Sequence, residues 1–474
     1  MGSSTDTTIR EAATDPMGSS DVDAEPVRGA VFLERGSHWS HYLYRVIAAE
    51  VSAATRYYDR VIQCDPLPHD SGYLLECIDC PQHQVVSDPE DLPDRSSQVD
   101  ERTAVLLNGN LNYSLDIHDL LVRIRVRGSR ATRVHAVVYN PYLRVLYALA
   151  NRLGLRRCAP PRTFVTRVGL IALARGAGYE VVRQRSCGYF PFRTLGLGNL
   201  INRIMPCVPL LRWFGAVSVV TLRPCMPSRH TPSLSVLVPA RNERGNIEGV
   251  LERMPNLGGA RIEVIFVEGN SEDGTWEEIK RVRQAWSDRF SILALQQPGV
   301  GKSDAVRFGL NQAQGELLAI LDADLTMPPE MLSRFYEAWR EGAGDFINGS
   351  RLVYPMEGAA MRPLNHLANI FFAKALSRVL GVRIGDSLCG TKLLSRADYK
   401  RIVAWREDFG DFDPFGDFEL LFPAAVLGLG IVDVPVRYCA RTYGSTQISR
   451  FRHGLQLLRM TIIGFFRLRL GRGA

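Results

Sequence analysis

The run Leu317-Leu-Ala-Ile-Leu-Asp-Ala-Asp324 decides how this 474-residue chain is read. Its apolar residues predict a short strand buried on both faces, and its two carboxylates stand where that strand ends. Two similar runs lie upstream. Leu234-Ser-Val-Leu-Val238 leads into Pro239-Ala-Arg-Asn-Glu243, and Ile262-Glu-Val-Ile-Phe-Val267 leads into Glu268-Gly-Asn-Ser-Glu-Asp-Gly-Thr275. Helix-like segments, Asn246 to Arg253 and Trp276 to Trp286, follow them. Strands alternating with helices predict an α/β module: a mostly parallel sheet with helices on both faces. Ligands of such sheets bind beyond the carboxyl ends of the strands, where polar and acidic groups collect here. In an extended segment residues i and i+2 point the same way, so Asp322 and Asp324 can face one cation. Hard carboxylate oxygens suit Mg2+ or Mn2+, ions that neutralise a diphosphate. A solvated turn after a strand would account for the same motif.

Further pieces follow in order: Gly301-Lys-Ser-Asp-Ala-Val-Arg307, Gly349-Ser-Arg351, Asp386-Ser-Leu-Cys-Gly-Thr-Lys392 and Gly416-Asp-Phe-Glu419. With the three strand ends they resemble glycosyltransferase family 2, nucleotide-sugar enzymes of GT-A fold. Within that family they look like the dolichyl- or polyprenyl-phosphate sugar transferases. The resemblance covers about residues 233–450 and implies roles. Pro239, Arg241 and Glu243 would border the nucleotide base and ribose, with Glu268 in place of the usual Asp. Lys302 would approach the nucleotide, and Asp322 and Asp324 would hold metal and diphosphate. Thr326 stands where the subgroup often has Gln. Arg351 and Lys392 would meet phosphate oxygens, as would Arg441 on a loop that closes over the diphosphate. Asp417, with Glu419 after it, falls where inverting members place a catalytic carboxylate. The implied reaction is metal-dependent, inverting transfer from a nucleotide-sugar donor to a polyprenyl-phosphate, lipid-linked or glycan acceptor. A scaffold that binds nucleotide sugar without turnover is the non-enzymatic alternative. Gly301-Lys302-Ser303 also imitates the end of a P-loop, but Gln296 replaces the required glycine, and Pro298-Gly299 reads as a turn rather than the opening of a helix.

The first half is a different object. Val105-Leu-Leu-Asn-Gly-Asn-Leu-Asn112, a helix from Asp116 to Val126, the strand Val134 to Tyr139, a helix from Leu143 to Leu153 and Gly178-Tyr-Glu-Val-Val182 resemble the C-terminal half of a class I SAM-dependent methyltransferase, a Rossmann-like module. An active member needs a glycine-rich turn after its first strand, where only glycine lets backbone approach the cofactor. Here Arg60 to Gly72 carries Pro66 and Pro68 and one late glycine. The expectation is a degenerate module without SAM binding; a bifunctional methyltransferase–glycosyltransferase acting on a natural product or polysaccharide precursor is the alternative. Its Arg-rich parts, 123–133 and 152–167, would face an anionic partner or lipid, or pair internally with the acidic first hundred residues.

The organisation predicted is a disordered tail (1–28), a first module (29–225), a Pro-rich linker (226–232), a catalytic module (233–450) and a basic amphipathic tail (451–474). Charge divides the same way: residues 1–100 carry 7 Arg and 18 acids, whereas 101–230 carry 20 Arg and 4 acids. All five Lys fall after residue 279. Nine scattered Cys and no apolar N-terminal core suggest a reducing, cytoplasmic setting. No run approaches the ~18 apolar residues of a membrane span. Leu455, Leu458, Ile462, Phe465 and Phe466 share one helical face among Arg residues, which predicts peripheral attachment to the inner membrane face. Packing on its own domain is the alternative. A nucleic-acid partner is not expected, since apolar rather than stacking residues separate the arginines of the tail.

Overall fold

In a computed structural model, residues 38–68, 70–94, 101–153, 160–355, 363–410, 413, 416–441, 443–444 and 450–470 are described. The expected tail 1–28 and the segment 445–449 lie outside them. The first sheet contains β1 (Arg60–Cys64), β2 (His83–Val86), β3 (Thr103–Asn108), β4 (Arg133–Tyr139), β5 (Tyr179–Cys187) and β6 (Val217–Pro224). Their order is β2-β1-β3-β4-β6-β5, and β6 runs antiparallel between β4 and β5. The near-continuous burial of β3 and β4 is that of parallel strands covered on both faces. The turn after β1 is filled by its own chain. Asp70 accepts hydrogen bonds from Gln63 Nε2 at 2.6 Å and Asn108 Nδ2 at 2.8 Å, and Leu67 packs near Gly109.

The second sheet contains β7 (Leu234–Ala240), β8 (Ile262–Glu268), β9 (Ser291–Gln296), β10 (Leu317–Ile320), β11 (Phe346–Ser350), β12 (Lys392–Ser395) and β13 (Ile431–Pro435). Their order is β13-β11-β12-β10-β7-β8-β9, parallel except for β12, which is antiparallel to both neighbours. Both sheets are thus the mostly parallel α/β layers expected from the alternation. Ile320 pairs with Leu237 and Ala240 with Glu268, so the polar continuations of β7, β8 and β10 emerge at one edge. The Phe418–Val426 helix, buried at every residue, packs into the core beneath that edge with Leu237, Ile265 and Phe346.

Three sequence expectations change. Gly301-Lys302-Ser303 does open a helix, Lys302–Gln312, after β9; the turn at Pro298-Gly299 only separates the two. The stretch Val432 to Tyr438, which reads in sequence as a strand leading into the Arg441 loop, is a strand only as far as Pro435. The Arg-rich 123–133 stretch is not a free display, because most of its arginines have partners or turn inward. Arg123 pairs with Asp88 and Glu90 of the acidic first hundred residues. Arg130 and Arg133 turn toward Asp345 at the start of β11. Arg223, at the end of β6, joins them at 3.5 Å and donates to the carbonyls of Gly342 and Ala343. Arg102 pairs with Asp398, and Arg133 Nε donates to Gly428 O at 2.7 Å. The two sheets therefore meet across buried guanidinium groups. Residues between β6 and β7 are pinned as well: Met226 is buried and Ser228 N donates to Arg340 O at 2.6 Å.

His135 sits in β4 with Nδ1 3.2 Å from Thr221 Oγ1. Burial, followed by the charges of Arg183, Arg133 and Arg102, pulls its pKa down to about 3. The native state therefore keeps the imidazole neutral while the unfolded chain protonates below about 6.5. As pH falls from about 6.5 to 5, this residue alone is expected to cost about 2 kcal/mol of stability. Urea midpoints at pH 7 and 5 check this, and His135→Gln should lose less stability over the interval than the parent chain.

Candidate functional site

The edge where β7, β8 and β10 end holds opposed charges. Asp322 Oδ1 accepts from Lys302 Nζ at 2.5 Å, and Lys302 is the first residue of its helix. Desolvation resists ionisation of Asp322, but the charge and hydrogen bond of Lys302, with Lys392 and Arg351 nearby, hold its carboxyl below the ordinary value. Desolvation likewise opposes the charge of Lys302, yet Asp322, Asp417 and Asp324 keep its pKa above the ordinary lysine range. These three carboxylates and one ammonium therefore act on one another electrostatically.

Asp324 is held on both sides. Oδ1 accepts from Thr326 N at 3.1 Å and Thr326 Oγ1 at 2.7 Å, and Oδ2 accepts from Arg441 Nη2 at 2.5 Å. Arg441 also donates through Nη1 to Glu243 Oε1 at 2.9 Å, so one guanidinium bridges the ends of β7 and β10. Glu243 is buried and accepts from Asn246 Nδ2 at 2.6 Å. Burial raises its pKa against the opposing effects of Asn246 and Arg441. Beside it, Tyr443 OH donates to Asp273 at 3.1 Å, tying residues after β13 to the loop after β8. Arg441 thus meets two carboxylates of the site.

Lys392 is fully buried and its Nζ donates to Asp417 Oδ1 at 2.6 Å. Asp417 stands at the N-cap of the Phe418–Val426 helix. Arg351 is committed to Asp386 by two bonds, Nε to Oδ2 at 2.7 Å and Nη2 to Oδ1 at 3.0 Å, and lies over the Tyr438 ring. Glu268 is buried, and its Oε1 accepts from Ser271 N at 2.5 Å. Pro239 is half-buried and Arg241 exposed at the same edge. Glu419 turns away to pair with Arg307 and Arg406.

Gly390 carries a constraint that sequence reasoning missed. A Cβ there would overlap Asp322 Oδ2 and come within 2.6 Å of Lys302 Nζ. Glycine lets the 386–392 segment lie this close to the Asp322–Lys302 pair; any larger residue would require those two side chains to shift. The signal was present as Cys389-Gly390-Thr391, but the contact that explains it is made with another strand. Thr326 was noted only as a departure from a Gln; its hydroxyl orients Asp324. A cleft of about 880 Å3 opens beside the site, lined by Ser303, Arg307, Asp413, Arg459, Met460 and Arg467 among others.

A mostly parallel sheet that gathers carboxylates and cations beyond its strand ends defines an α/β protein with its candidate ligand site at that edge. Residues 235–403 match the family model Glycosyl transferase family 2, so the C-terminal region carries a domain of that family. Asp417 and Arg441 lie beyond the matched residues. Among curated relatives, the Dolichol-phosphate mannosyltransferase of Pyrococcus furiosus is 34% identical over 122 residues, 25% of this chain and 33% of that one. The Dolichyl-phosphate hexose transferase of Haloferax volcanii is 29% identical over 222 residues, 47% of this chain and 89% of that one. The chain thus spans only a third of the length of the first of these relatives. A solved structure of glucosyl-3-phosphoglycerate synthase from Mycobacterium tuberculosis with Mn2+, UDP and phosphoglyceric acid is similar over 53% of this chain and 88% of that one. Its identity is 17% and its TM-score 0.37.

Proposed function

We propose that the protein is an inverting, metal-dependent glycosyltransferase that moves a sugar from a nucleotide-sugar donor to a polyprenyl-phosphate or related lipid-linked or glycan acceptor. The observation that carries this reading is the convergence of Asp322, Asp324, Lys302 and Arg441 at the ends of β7 and β10, within a family 2 domain. The names of the P. furiosus and H. volcanii relatives support the lipid-phosphate acceptor. The donor set of Asp322 and Asp324 suits Mg2+ or Mn2+: two hard carboxylates at one strand end, each now paired with a cationic side chain. Among the described residues no group of three or more His, Cys, Asp or Glu could hold a metal, so the remaining ligands would be substrate oxygens and water. When bound, the ion would supply charge neutralisation for the leaving diphosphate.

The chain's own residues do the rest. Lys302, already drawn to this edge, approaches the nucleotide diphosphate. Arg441 can exchange Asp324 for a phosphate oxygen without leaving the site, because Glu243 holds its other arm. Pro239, Arg241, Glu243 and Glu268 form the side toward base and ribose. Arg351 and Lys392, held by Asp386 and Asp417, add positive potential behind the phosphates. Asp417 serves as the carboxylate that positions the acceptor or takes its proton, with Lys392 Nζ bonded to its Oδ1. A phosphate acceptor needs little base strength, so positioning then dominates.

The first sheet, with the antiparallel β6 between β4 and β5, supports a methyltransferase-like module. Its β1 turn, packed with Leu67 and Asp70, supports the view that SAM is not bound there. The apolar side chains that the C-terminal helix leaves exposed, Leu455 and Ile462 among them, support peripheral contact with a membrane rather than with nucleic acid. That helix is no detachable tail, since Leu457, Met460 and Leu468 are buried in the core. Among the described residues no helix is long and apolar enough to cross a membrane. A screen of nucleotide sugars with Mn2+, reading release of the nucleoside diphosphate with and without a polyprenyl phosphate, tests the proposal. One donor is expected to be consumed faster with the lipid phosphate; consumption of none overturns the reading.

A further inference from the structure

The Leu197–Ile204 helix, packed on the first sheet's side of the molecule and outside residues 235–403, is built inside out. Half-buried Asn202 bonds inward, accepting from Tyr189 N at 2.7 Å and donating to Tyr42 OH at 3.1 Å, and Asn199, itself exposed, accepts from Tyr42 OH at 2.8 Å. Its apolar stripe, Leu197, Leu200 and Ile204, faces out, each of the three exposed. A helix on a globular surface normally does the reverse.

The inversion extends along the chain on both sides. Before the helix, Leu195 is fully exposed, held at a positive φ of 47°. After it, Leu210 is 82% exposed and Trp213 54%. Trp213 stacks on Tyr142 with ring centroids 6.2 Å apart, which joins this surface to the Arg144–Arg152 helix. That helix buries none of its residues and exposes Val145, Leu146 and Leu149. On another side, the Leu197–Ile204 helix touches the turn Phe466–Leu470, where Phe466 is exposed. Exposed apolar side chains gathered on neighbouring elements in this way mark an interaction site.

The charge around it selects the partner. Between Leu120 and Asn242 the only acidic residue is Glu180. Arg193, Arg203 and Arg212 stand exposed within the apolar stretch itself. Exposed leucines with interspersed arginines, and a Trp–Tyr pair whose rings suit the headgroup level, match the chemistry of an anionic bilayer surface.

We propose that residues 189–214 together with the Arg144–Arg152 helix seat this protein on an anionic lipid bilayer, so that the first sheet's side of the molecule serves as a membrane-docking module. The inference does not depend on the transfer chemistry proposed above. The experiment is co-sedimentation of the full chain with vesicles of phosphatidylglycerol and phosphatidylcholine, and of phosphatidylcholine alone. The full chain should bind the anionic vesicles, and Leu197→Gln/Leu200→Gln/Ile204→Gln should bind roughly 30-fold more weakly. Arg193→Gln/Arg203→Gln/Arg212→Gln should lose most of the preference for anionic lipid. Vesicles with brominated acyl chains should quench Trp213, seen as quenching lost in Trp213→Phe; this reads the site even if the leucine variant folds poorly. Unchanged binding of a folded leucine variant, no binding by the full chain, or no loss of quenching in Trp213→Phe overturns the proposal. So does a dimer in sedimentation velocity that the leucine substitutions dissolve without weakening vesicle binding, since a second copy would then cover the surface.

Discussion

Asp345→Asn is expected to destabilise the protein by about 3–5 kcal/mol, the effect of leaving buried charges without their partner. Asp345 is 2% exposed and lies among Arg130, Arg133 and Arg223, with Gly430 N donating to it at 3.1 Å. Burial alone would raise its pKa, but Arg133, Arg223 and Arg130 hold it well below the usual carboxylate range. The amide keeps the shape and removes the charge. Arg133 and Arg223 are fully buried, so water cannot replace what they lose. The effect should appear as a lower urea midpoint and as weaker protection of amides in β4, β6 and β11 by hydrogen exchange. Breaking the exposed Arg253–Glu330 pair by Arg253→Ala should change stability by no more than about 1 kcal/mol, because solvent screens it. Equal effects of the two substitutions would mean that the buried guanidiniums do not depend on Asp345.

Asp324→Asn should lower turnover of the nucleotide sugar by about 100- to 1000-fold while leaving the urea midpoint nearly unchanged. The side chain is held by Thr326 and Arg441, and Arg441 keeps Glu243 when Asp324 is neutralised. The fold therefore loses little, whereas a hard anionic ligand at the strand end is gone. Titration with Mn2+ in the presence of the donor should need a higher ion concentration for half-maximal rate. A variant with full activity and unchanged metal response would remove Asp324 from the reaction, and the case for a metal at this strand end with it.

Much of the second sheet was legible in the chain because its signals are local. Leu317 to Leu321 is a buried strand by composition alone, and Asp322 and Asp324 share a face by the twofold period of extended backbone. The same holds for the ends of β7 and β8. The strand-to-helix passage at Lys302 is hidden in the sequence, because the turn at Pro298-Gly299 stands between β9 and a helix that begins only after Gly301. The period and the apolar runs also exposed the α/β alternation of the first half, but they carried no sign of how its arginines are used. An arginine-rich segment looks the same in sequence whether it faces solvent, lipid or a buried carboxylate.

The sequence by itself determined two α/β sheets, the three strand ends that carry Glu243, Glu268 and Asp322–Asp324, and the need for cations nearby. These follow from hydrophobic period and from residue chemistry within a few positions. Only the tertiary structure decided the pairings: Arg441 across Glu243 and Asp324, Lys392 on Asp417, Arg351 on Asp386, and Gly390 as the space for Asp322. It alone decided which arginines turn inward to Asp345 and which leucines of residues 195–210 turn outward. Each of these joins residues far apart in the chain, and side-chain burial against a distant partner leaves no periodic trace along it.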